Sequence, residues 1–377
     1  MPAVYLDCNA TTPMEPQVRD IFWRYLDEEF GNEGSRTHEY GARAKQAVQR
    51  ARDQLAVIVG AKREEITFTS GATESNNLAI LGLREAAKRA GRMHCITSAI
   101  EHKAVLEPLE QMESDGFTVT RLPVGPGGFV EPRAVEEALR PDTFLVSLMQ
   151  VNNETGVVQP LTEIAAALAK HDAYFHTDAA QGFGKDIDAL LHPRIDMISV
   201  SGHKIFAPKG IGALIARRRG YDRIPLNPLV FGGGQERGLR PGTLPVALIV
   251  ALGEASDLAV IDREARLRKC LSMRSEAVAA FAPLHPRYSG DTERVMPHVL
   301  NIAFAGIDSE ALIVALKDMI AISNGSACTS SSYTPSHVLK AMGMTDDQAN
   351  SCVRISWCHL TPTVDWGAVA ERIRRLM

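Results

Sequence analysis

The stretch AYFHTDAAQ, residues 173–181, places a carboxylate directly after a short apolar strand. Its first four residues are typical of a strand that is buried on both faces of a parallel sheet. Asp178 follows where that strand ends, and a partly buried acid there needs a partner. A protonated heterocycle nitrogen or a metal ion would serve. The N–H groups of a following helix would serve equally, in which case the aspartate is structural.

Apolar runs and helical patterns alternate on both sides of this stretch. Helices are predicted at 132–139 and 161–171. Such alternation implies right-handed crossovers and a mainly parallel sheet, whose ligands bind beyond the carboxyl ends of the strands. Besides 173–176, the strands predicted for this sheet are 66–69, 94–97, 144–149, 197–200 and 211–215.

The pattern changes near residue 244, where a second, smaller α+β unit is predicted. Its elements are a long helical stretch, a strand, a helix, a loop, a strand and a final helix, at 245–282, 299–304, 309–317, 323–335, 353–356 and 364–376. The sequence Thr11-Thr-Pro13 marks a boundary near the amino terminus. We therefore predict a large α/β domain at 12–250 and a small domain at 1–11 and 251–377, with a small-molecule site in the cleft.

Composition and charge exclude several classes of protein. The 377 residues are 45% hydrophobic and 23% charged, which is globular rather than disordered or fibrous. The net charge of −4 argues against direct nucleic-acid binding. No apolar run is long enough for a membrane span, and the start does not resemble a signal peptide. Because the cysteines are scattered without a CxxC pair, we expect free thiols and a cytoplasmic protein.

The stretch TSGATESNN, residues 69–77, follows a strand and opens a helix. Gly71 permits a tight turn. The N–H groups of Gly71, Ala72 and Thr73, with the Thr73 hydroxyl, would form a phosphate cradle at the helix start. The alternative is an ordinary capped turn with Thr73 or Ser70 as the N-cap.

The stretch SGHKIFAPKG, residues 201–210, also follows a strand. Lys204 in a dry site could lose its proton and form a Schiff base with an aldehyde cofactor. Ser201 and His203 could donate to a phosphate, whereas Lys209 is typical of a loop surface. A phosphate cradle, an acid for a ring nitrogen and such a lysine together match the requirements of pyridoxal 5'-phosphate.

A polar loop, SNGSACTSSSY at 323–333, carries Cys328. A loop rich in serine cannot pack a core, which favours a nucleophilic thiol over a buried structural one. Cys8, Cys95 and Cys270 fall in strand or helix patterns and are predicted to be core residues. Cys352 and Cys358 flank an apolar strand, where no ligand other than His359 is near, so no metal site is predicted.

Two further residues have open interpretations. Arg354 lies in a short strand, where an inward guanidinium could hold a substrate carboxylate with two parallel hydrogen bonds. The alternative is an arginine that faces the surface. His102 follows a strand and could stack on a ring or move protons, or it could cap a helix.

Nine segments together resemble cysteine desulfurases of the NifS/IscS type, within the class V aminotransferases of fold type I. The resemblance covers almost the whole chain and implies a large domain with a mainly parallel seven-stranded sheet. The matching segments are YLDCNATTP (5–13), TSGATESNN (69–77), IEHKAV (100–105), VNNETG (151–156), HTDAAQ (176–181), SGHKIFAPKG (201–210), GGGQERGLRPGT (232–243), SNGSACTS (323–330) and VRIS (353–356).

The resemblance implies that pyridoxal phosphate is the cofactor and assigns its ligands. Lys204 would be the Schiff-base lysine and the proton shuttle. Asp178 would hold the ring nitrogen protonated, Gln181 would bond the ring hydroxyl, and His102 would stack on the ring as a catalytic residue. The phosphate would be bound by Ala72, Thr73, Ser201 and His203.

The remaining implied roles concern the substrate and a second subunit. Thr243 would reach the phosphate of a neighbouring subunit, which implies a homodimer. Asn153 and Arg354 would hold the carboxylate of L-cysteine, and Cys328 would take its sulfur. One departure follows the VRIS segment, because this chain has Trp357-Cys-His-Leu360 in a stretch where many relatives have a glycine and an arginine.

The resemblance thus implies that L-cysteine is converted to L-alanine and a persulfide on Cys328. The sulfur would pass to an acceptor protein for iron–sulfur clusters, tRNA or DNA phosphorothioation. Within the family, the chain is most similar to the desulfurases of DNA phosphorothioation. The alternatives are a selenocysteine lyase or an aminotransferase of the same class, and a scaffold that has lost activity. Cys328 discriminates against them, because transamination needs no thiol there.

Overall fold

The computed structural model describes residues 3–325 and 335–377, so Cys328 lies outside the described residues. The strands, in chain order, are β1 (Val4–Tyr5), β2 (Ile66–Thr69), β3 (His94–Ser98), β4 (Thr118–Leu122), β5 (Thr143–Ser147), β6 (Tyr174–Asp178), β7 (Met197–Ser201), β8 (Gly212–Ala216), β9 (Arg287–Tyr288), β10 (Val299–Ala303), β11 (Ile320–Ala321) and β12 (Cys352–Ser356). The helices are α1 (Pro16–Asp27), α2 (Glu39–Val59), α3 (Ala72–Leu81), α4 (Arg84–Ala90), α5 (Lys103–Ser114), α6 (Pro132–Ala138), α7 (Leu161–Ala167), α8 (Val246–Ile261), α9 (Arg263–Phe281), α10 (Ser309–Leu316), α11 (His337–Ala341), α12 (Asp346–Asn350) and α13 (Trp366–Arg374).

A seven-stranded sheet in the order β2-β8-β7-β6-β5-β3-β4 forms the centre of the molecule. Strands from β7 to β4 pair in parallel, whereas β8 is antiparallel to both β2 and β7. Six strands, β2, β3, β4, β5, β6 and β7, therefore run in the same direction and end on the same side of the sheet. The predicted α/β class with a mainly parallel seven-stranded sheet is confirmed.

The sequence prediction differs from the structure at three elements. Strand β4 was not predicted, because it lies at the sheet edge and its residues are partly exposed rather than a continuous apolar run. The helix predicted at 161–171 ends at Ala167. The helix predicted at 245–282 is two helices, since Asp262 leaves helical geometry with ψ near 3°.

Helix α8 is the centre of a layer of packed helices. It packs against α1 and α2, and most of its side chains are buried. A β-carbon on Gly253 would lie 2.8 Å from Ala51 Cα, so only glycine permits α8 to approach α2 this closely. This close packing fixes the layer of helices behind the candidate site.

A second core lies beside a small antiparallel sheet, β12-β10-β9. Phe281, Phe304 and Trp366 meet edge to face in this core, and Trp357 is fully buried in it. The amino-terminal segment belongs to this region, because β1 pairs in parallel with β11 and Asp7 bridges to Ser356. These contacts agree with the predicted small domain, although its boundaries stay a prediction. In the part of the chain that the structure describes, no helix has the length and apolar character needed to cross a membrane.

Candidate active site

A cleft of about 540 Å³ opens at the sheet edge where β2, β3, β5, β6 and β7 end. Its walls come from the loops after these strands, from the amino-terminal segment and from β12. The predicted site residues that line it are Ala72, Thr73, His102, Asn153, Asp178, Gln181, Ser201, His203, Lys204 and Arg354. The topology therefore brings together residues that are up to 282 positions apart in the chain, from Ala72 to Arg354.

The start of α3 forms one end of the cleft. Gly71 is its N-cap residue, no side chain caps the helix, and its first N–H groups are therefore available to an anion. A β-carbon on Gly212 would lie 2.6 Å from Gly71 Cα, so β8 supports the turn by direct backbone contact. Glu74 accepts from the Ser70 N–H at 2.6 Å and from Arg240 Nε at 2.9 Å, and it fixes the loop from outside.

Asp178 is buried at the end of β6 and holds its carboxylate in a fixed orientation. Its Oδ1 accepts from the Ala180 N–H at 2.9 Å, and its Oδ2 accepts from Asn76 Nδ2 at 2.7 Å. The sequence analysis missed Asn76, although it lies one helical turn after Thr73 within the quoted 69–77 segment. The segment after β6 forms turns rather than a helix, so Asp178 accepts from a turn N–H while it also lines the cleft.

Lys204 follows β7 and points back to the amino-terminal segment. Its Nζ donates to the carbonyls of Asn9 and Ala10, the latter at 2.9 Å. Neighbouring His203 has a pKa lowered to about 4, mainly by burial and further by the nearby lysine charges. A neutral His203 ring at pH 7 retains one N–H to donate, and its Nδ1 lies 3.1 Å from Thr11 Oγ1.

Two side-chain oxygens near Lys204 have no hydrogen-bond partner among residues 3–325 and 335–377. Gln181 donates through Nε2 to the Asn9 carbonyl at 2.9 Å, but its Oε1 is unpaired, as is Asn9 Oδ1. Buried polar atoms are rarely left unpaired in native structures. A polar ligand in this cleft would explain both, and the donor set fits an anionic, hydroxylated heterocycle.

His102 is both a helix cap and a wall of the cleft. Its Nδ1 accepts from the Ala104 N–H at 3.1 Å at the start of α5, which leaves the proton on Nε2 when the ring is neutral. The two interpretations that the sequence left open for this histidine are thus compatible.

Arg354 points inward from β12 and is held on several sides. Its Nη2 donates to Asp7 Oδ1 at 2.6 Å and to Ser323 Oγ at 3.1 Å, and its Nη1 donates to the Asn153 carbonyl at 2.9 Å. Only 3% of the residue is exposed, which excludes a surface arginine. The sequence analysis missed Asp7, because nothing in the spacing of residues 7 and 354 indicates that they meet.

Glu154 connects both described ends of the segment that carries Cys328. Gly325, the last described residue before it, packs against the Glu154 side chain, and its carbonyl lies 3.5 Å from Arg354 Nη1. After the segment, Ser336 donates its hydroxyl to Glu154 Oε2 at 2.5 Å. Both ends are therefore attached to the wall of the cleft near Arg354. Nothing in the sequence pattern indicates this role of Glu154 beyond its place in the VNNETG segment.

Thr243 does not line the cleft and is exposed to solvent. The loop that carries it is anchored through the Arg240 to Glu74 ion pair at 2.9 Å. Its predicted contact with a neighbouring subunit stays a prediction.

Buried Glu101, which precedes His102, gives a testable dependence of stability on pH. Burial raises the pKa of Glu101 to about 8, with Asp178 adding to the effect and hydrogen bonds from Ser98 and Met149 opposing it. The stabilisation from this group is complete below its ordinary pKa and is lost as pH rises toward 8. Compared with Glu101→Gln, the wild type should lose up to about 1.4 kcal/mol of unfolding free energy per pH unit between pH 5 and 8. Melting temperatures of both proteins across this range check the prediction, and parallel curves would contradict it.

Residues 4–365 match the model of the Aminotransferase class-V family. Together with the α/β fold and the cleft at its sheet edge, this match shows that the chain belongs to the class-V aminotransferase family. The predicted resemblance at family level is confirmed.

Within this family, the chain is similar to Cysteine desulfurase IscS of Klebsiella pneumoniae, with 44% identity over 375 residues that cover 99% of this chain and 92% of the relative. The structure of DndA from Streptomyces lividans is 51% identical with a TM-score of 0.83, and the match covers 93% of this chain and 98% of that one. The structure of SspA in complex with cysteine is 39% identical with a TM-score of 0.81, covering 94% of this chain and 98% of that one.

Proposed function

We propose that this protein is a pyridoxal phosphate-dependent cysteine desulfurase that converts L-cysteine to L-alanine and a persulfide on Cys328. The observation that supports this most is the cleft at the sheet edge, where an anion cradle, a buried carboxylate, a lysine and an inward arginine face the same space. The similarity to a curated cysteine desulfurase over 99% of the chain supports the same activity.

The cofactor would be held by side chains that the fold has already oriented. The start of α3, with Ala72 and Thr73, would bind the phosphate together with Ser201 and His203. Gln181 would bond the ring hydroxyl through its unpaired Oε1, and His102 would stack on the ring. When bound, pyridoxal phosphate supplies an electron sink for the charge that develops at the substrate α-carbon.

Lys204 and Asp178 would control the protons of the reaction. The Asn9 and Ala10 carbonyls orient the Lys204 amine at the cleft, where it would take the α-proton of the substrate and return a proton later. The Asp178 carboxylate, fixed by Asn76 and the Ala180 N–H, would hold a proton on the ring nitrogen. Lys204 would thus carry the α-proton, and Asp178 would keep the ring nitrogen protonated.

Arg354 would bind the substrate carboxylate, with the Asn153 side chain as a second contact. Asp7 and Ser323 fix the plane of the guanidinium, so little orientation is lost on binding. The incoming carboxylate would share Arg354 with Asp7.

Cys328 would accept the sulfur. As the Cβ–S bond of L-cysteine breaks, its electron pair stays on carbon and an S–S bond forms to Cys328, and protonation of carbon completes alanine. Because the described ends of the Cys328 segment are attached at Glu154 beside Arg354, the thiol belongs to a segment tethered at the substrate end of the cleft.

Alanine formation from L-cysteine under reducing conditions tests this proposal with wild type and Cys328→Ser. We expect wild type to form alanine and the variant to lose nearly all activity, while both keep the yellow cofactor band. Cys352→Ser is the matched control, because Ser289 Oγ lies 3.6 Å from Cys352 Sγ and can pair with a serine there. Full activity of Cys328→Ser would refute the persulfide on Cys328. Two yellow proteins that both form no alanine would refute L-cysteine as the substrate and favour a selenocysteine lyase or an aminotransferase.

The proposal extends to the setting of the enzyme. It would act in the cytoplasm as a homodimer, with Thr243 reaching the phosphate of the partner, and would pass sulfur to an acceptor protein. Among iron–sulfur clusters, tRNA and DNA phosphorothioation, the 51% identity to DndA favours the last as the destination. The acidic net charge of −4 fits transfer to a protein rather than direct binding of DNA.

A further inference from the structure

A second cavity, of about 60 Å³, lies behind the amino-terminal segment and outside the proposed reaction. The cavity is lined by the thiols of Cys8, Cys270 and Cys358 and by the side chain of Lys185. Much of the remaining wall is apolar, with Phe206 and Trp357 among its members. A water molecule needs roughly 10–15 Å³ of such space, so the cavity admits small molecules of a few atoms only.

Two of these thiols, those of Cys8 and Cys358, touch each other. Both side chains pack in one small buried cluster with Phe206, with exposures of 2% and 4%. The segments that carry them are neighbours, since the Cys8 N–H donates to the Ser356 carbonyl at 3.0 Å and the Ser356 N–H donates to the Leu6 carbonyl at 2.8 Å. Thr361 Oγ1, which donates to Cys358 Sγ at 3.7 Å, lies beside the same pair.

The two thiols differ in acidity. The contact with Cys8 lowers the pKa of Cys358 against the opposing effect of burial, with help from Thr361, the Leu360 N–H and the Lys185 charge. The same contact, together with burial, raises the pKa of Cys8. Cys358 is therefore the thiol of the pair that ionises more readily, and Cys8 beside it is placed to resolve it.

A tetrahedral metal site does not explain this pair. No group of three or more histidine, cysteine or acidic side chains within residues 3–325 and 335–377 could hold a metal ion. Structural zinc requires four such ligands, and the cavity wall beside the pair is largely apolar. Reactivity of the sulfur atoms themselves is what the arrangement favours.

We propose that Cys8 and Cys358 form a peroxide-reactive dithiol that closes to a disulfide. The Cys358 thiolate attacks one peroxide oxygen, the O–O bond breaks, and water leaves after protonation, with a sulfenic acid on Cys358. Cys8 then attacks that sulfur, the S–O bond breaks, and a second water leaves as the S–S bond forms. The two thiols lose two electrons, which reduce one peroxide to two waters.

The position of the pair links it to the active site by sequence. Cys8 lies between Asp7, which pairs with Arg354, and Asn9, whose carbonyl accepts from Lys204 and Gln181. The disulfide would therefore form one residue away from groups that orient both the lysine and the arginine of the cleft.

The experiment uses the purified holoenzyme carrying Cys328→Ser, so that the loop thiol does not compete for peroxide. After brief exposure to a small excess of hydrogen peroxide, free thiols are alkylated in denaturant and the peptides are mapped by mass spectrometry. We expect a linked Cys8–Cys358 peptide, loss of two thiols per chain, and recovery of both with a reductant. Cys95 is the matched buried control, because burial raises its pKa to about 12 and it should stay fully alkylated.

The pH dependence of the linkage and a Cys8→Ser variant test the proposal further. The rate of linkage should rise with pH as the Cys358 thiol ionises, by up to about tenfold per pH unit below its pKa. In Cys8→Ser, oxidation should stop at a sulfenic acid on Cys358 that a cyclic dione reagent traps. The proposal fails if peroxide leaves Cys8 and Cys358 as free thiols in the folded holoenzyme that carries both. It also fails if Cys95 is oxidised as fast as Cys8 and Cys358.

Discussion

Replacing Lys204 with alanine should lower the rate of alanine formation from L-cysteine by about 10³-fold. The reason is that Lys204 is the amine positioned to move the α-proton, and no other described lysine is held by the Asn9 and Ala10 carbonyls. Single-turnover measurement of alanine, with enzyme in excess over L-cysteine, separates this chemical step from product release.

Lys209→Ala is the matched control for this prediction. Lys209 lines the same cleft but is exposed, so its loss changes the local charge by the same amount without removing the proposed proton carrier. We expect it to retain activity within severalfold of wild type. Comparable losses in the two variants would mean that positive charge, rather than a positioned amine, is what the reaction needs.

Replacing Asp178 with asparagine should lower kcat by about 10²- to 10⁴-fold with a small change in melting temperature. The substitution keeps the shape of the side chain and one oxygen to accept from Asn76 or the Ala180 N–H. It removes the negative charge that would keep a ring nitrogen protonated, so the electron sink is weakened while the cleft persists.

Asp186→Asn serves as the control for the loss of a buried carboxylate. Asp186 is partly buried with a raised pKa, mainly through burial, and does not line the cleft. Its replacement should leave kcat near the wild-type value. If Asp178→Asn also keeps its kcat, the aspartate is structural and the assignment of the ring nitrogen to it is wrong.

Local sequence was sufficient for the central sheet and for the chemistry-bearing motifs. Short apolar runs predicted β2 at its exact bounds and placed five other strands within a few residues. Asp178, Lys204 and the turn at Gly71 were found because each directly follows a strand. Strand β4 was missed because an edge strand alternates and exposes polar side chains, and so lacks the continuous apolar run of a central strand.

Contacts between distant segments could not be predicted from spacing. Asp7 meets Arg354, and Cys8 meets Cys358, because the amino-terminal segment pairs in parallel beside the end of β12. Such pairing depends on the register of two short segments about 350 residues apart, and neither segment carries a pattern that specifies the other. The contacts of Glu154 could not be predicted for the same reason, since its partners Gly325 and Ser336 lie more than 170 residues later in the chain.

The pairing of residues 4–8 with residues 320–356 also determines when the site can form during synthesis. Residues 4–10 leave the ribosome first, but the strands beside this segment, β11 and β12, are among the last elements to leave it. A nascent chain that has completed the central sheet therefore still lacks Arg354 and these pairings. The complete arrangement of the cleft, and with it the proposed chemistry, is reached only when translation is nearly complete.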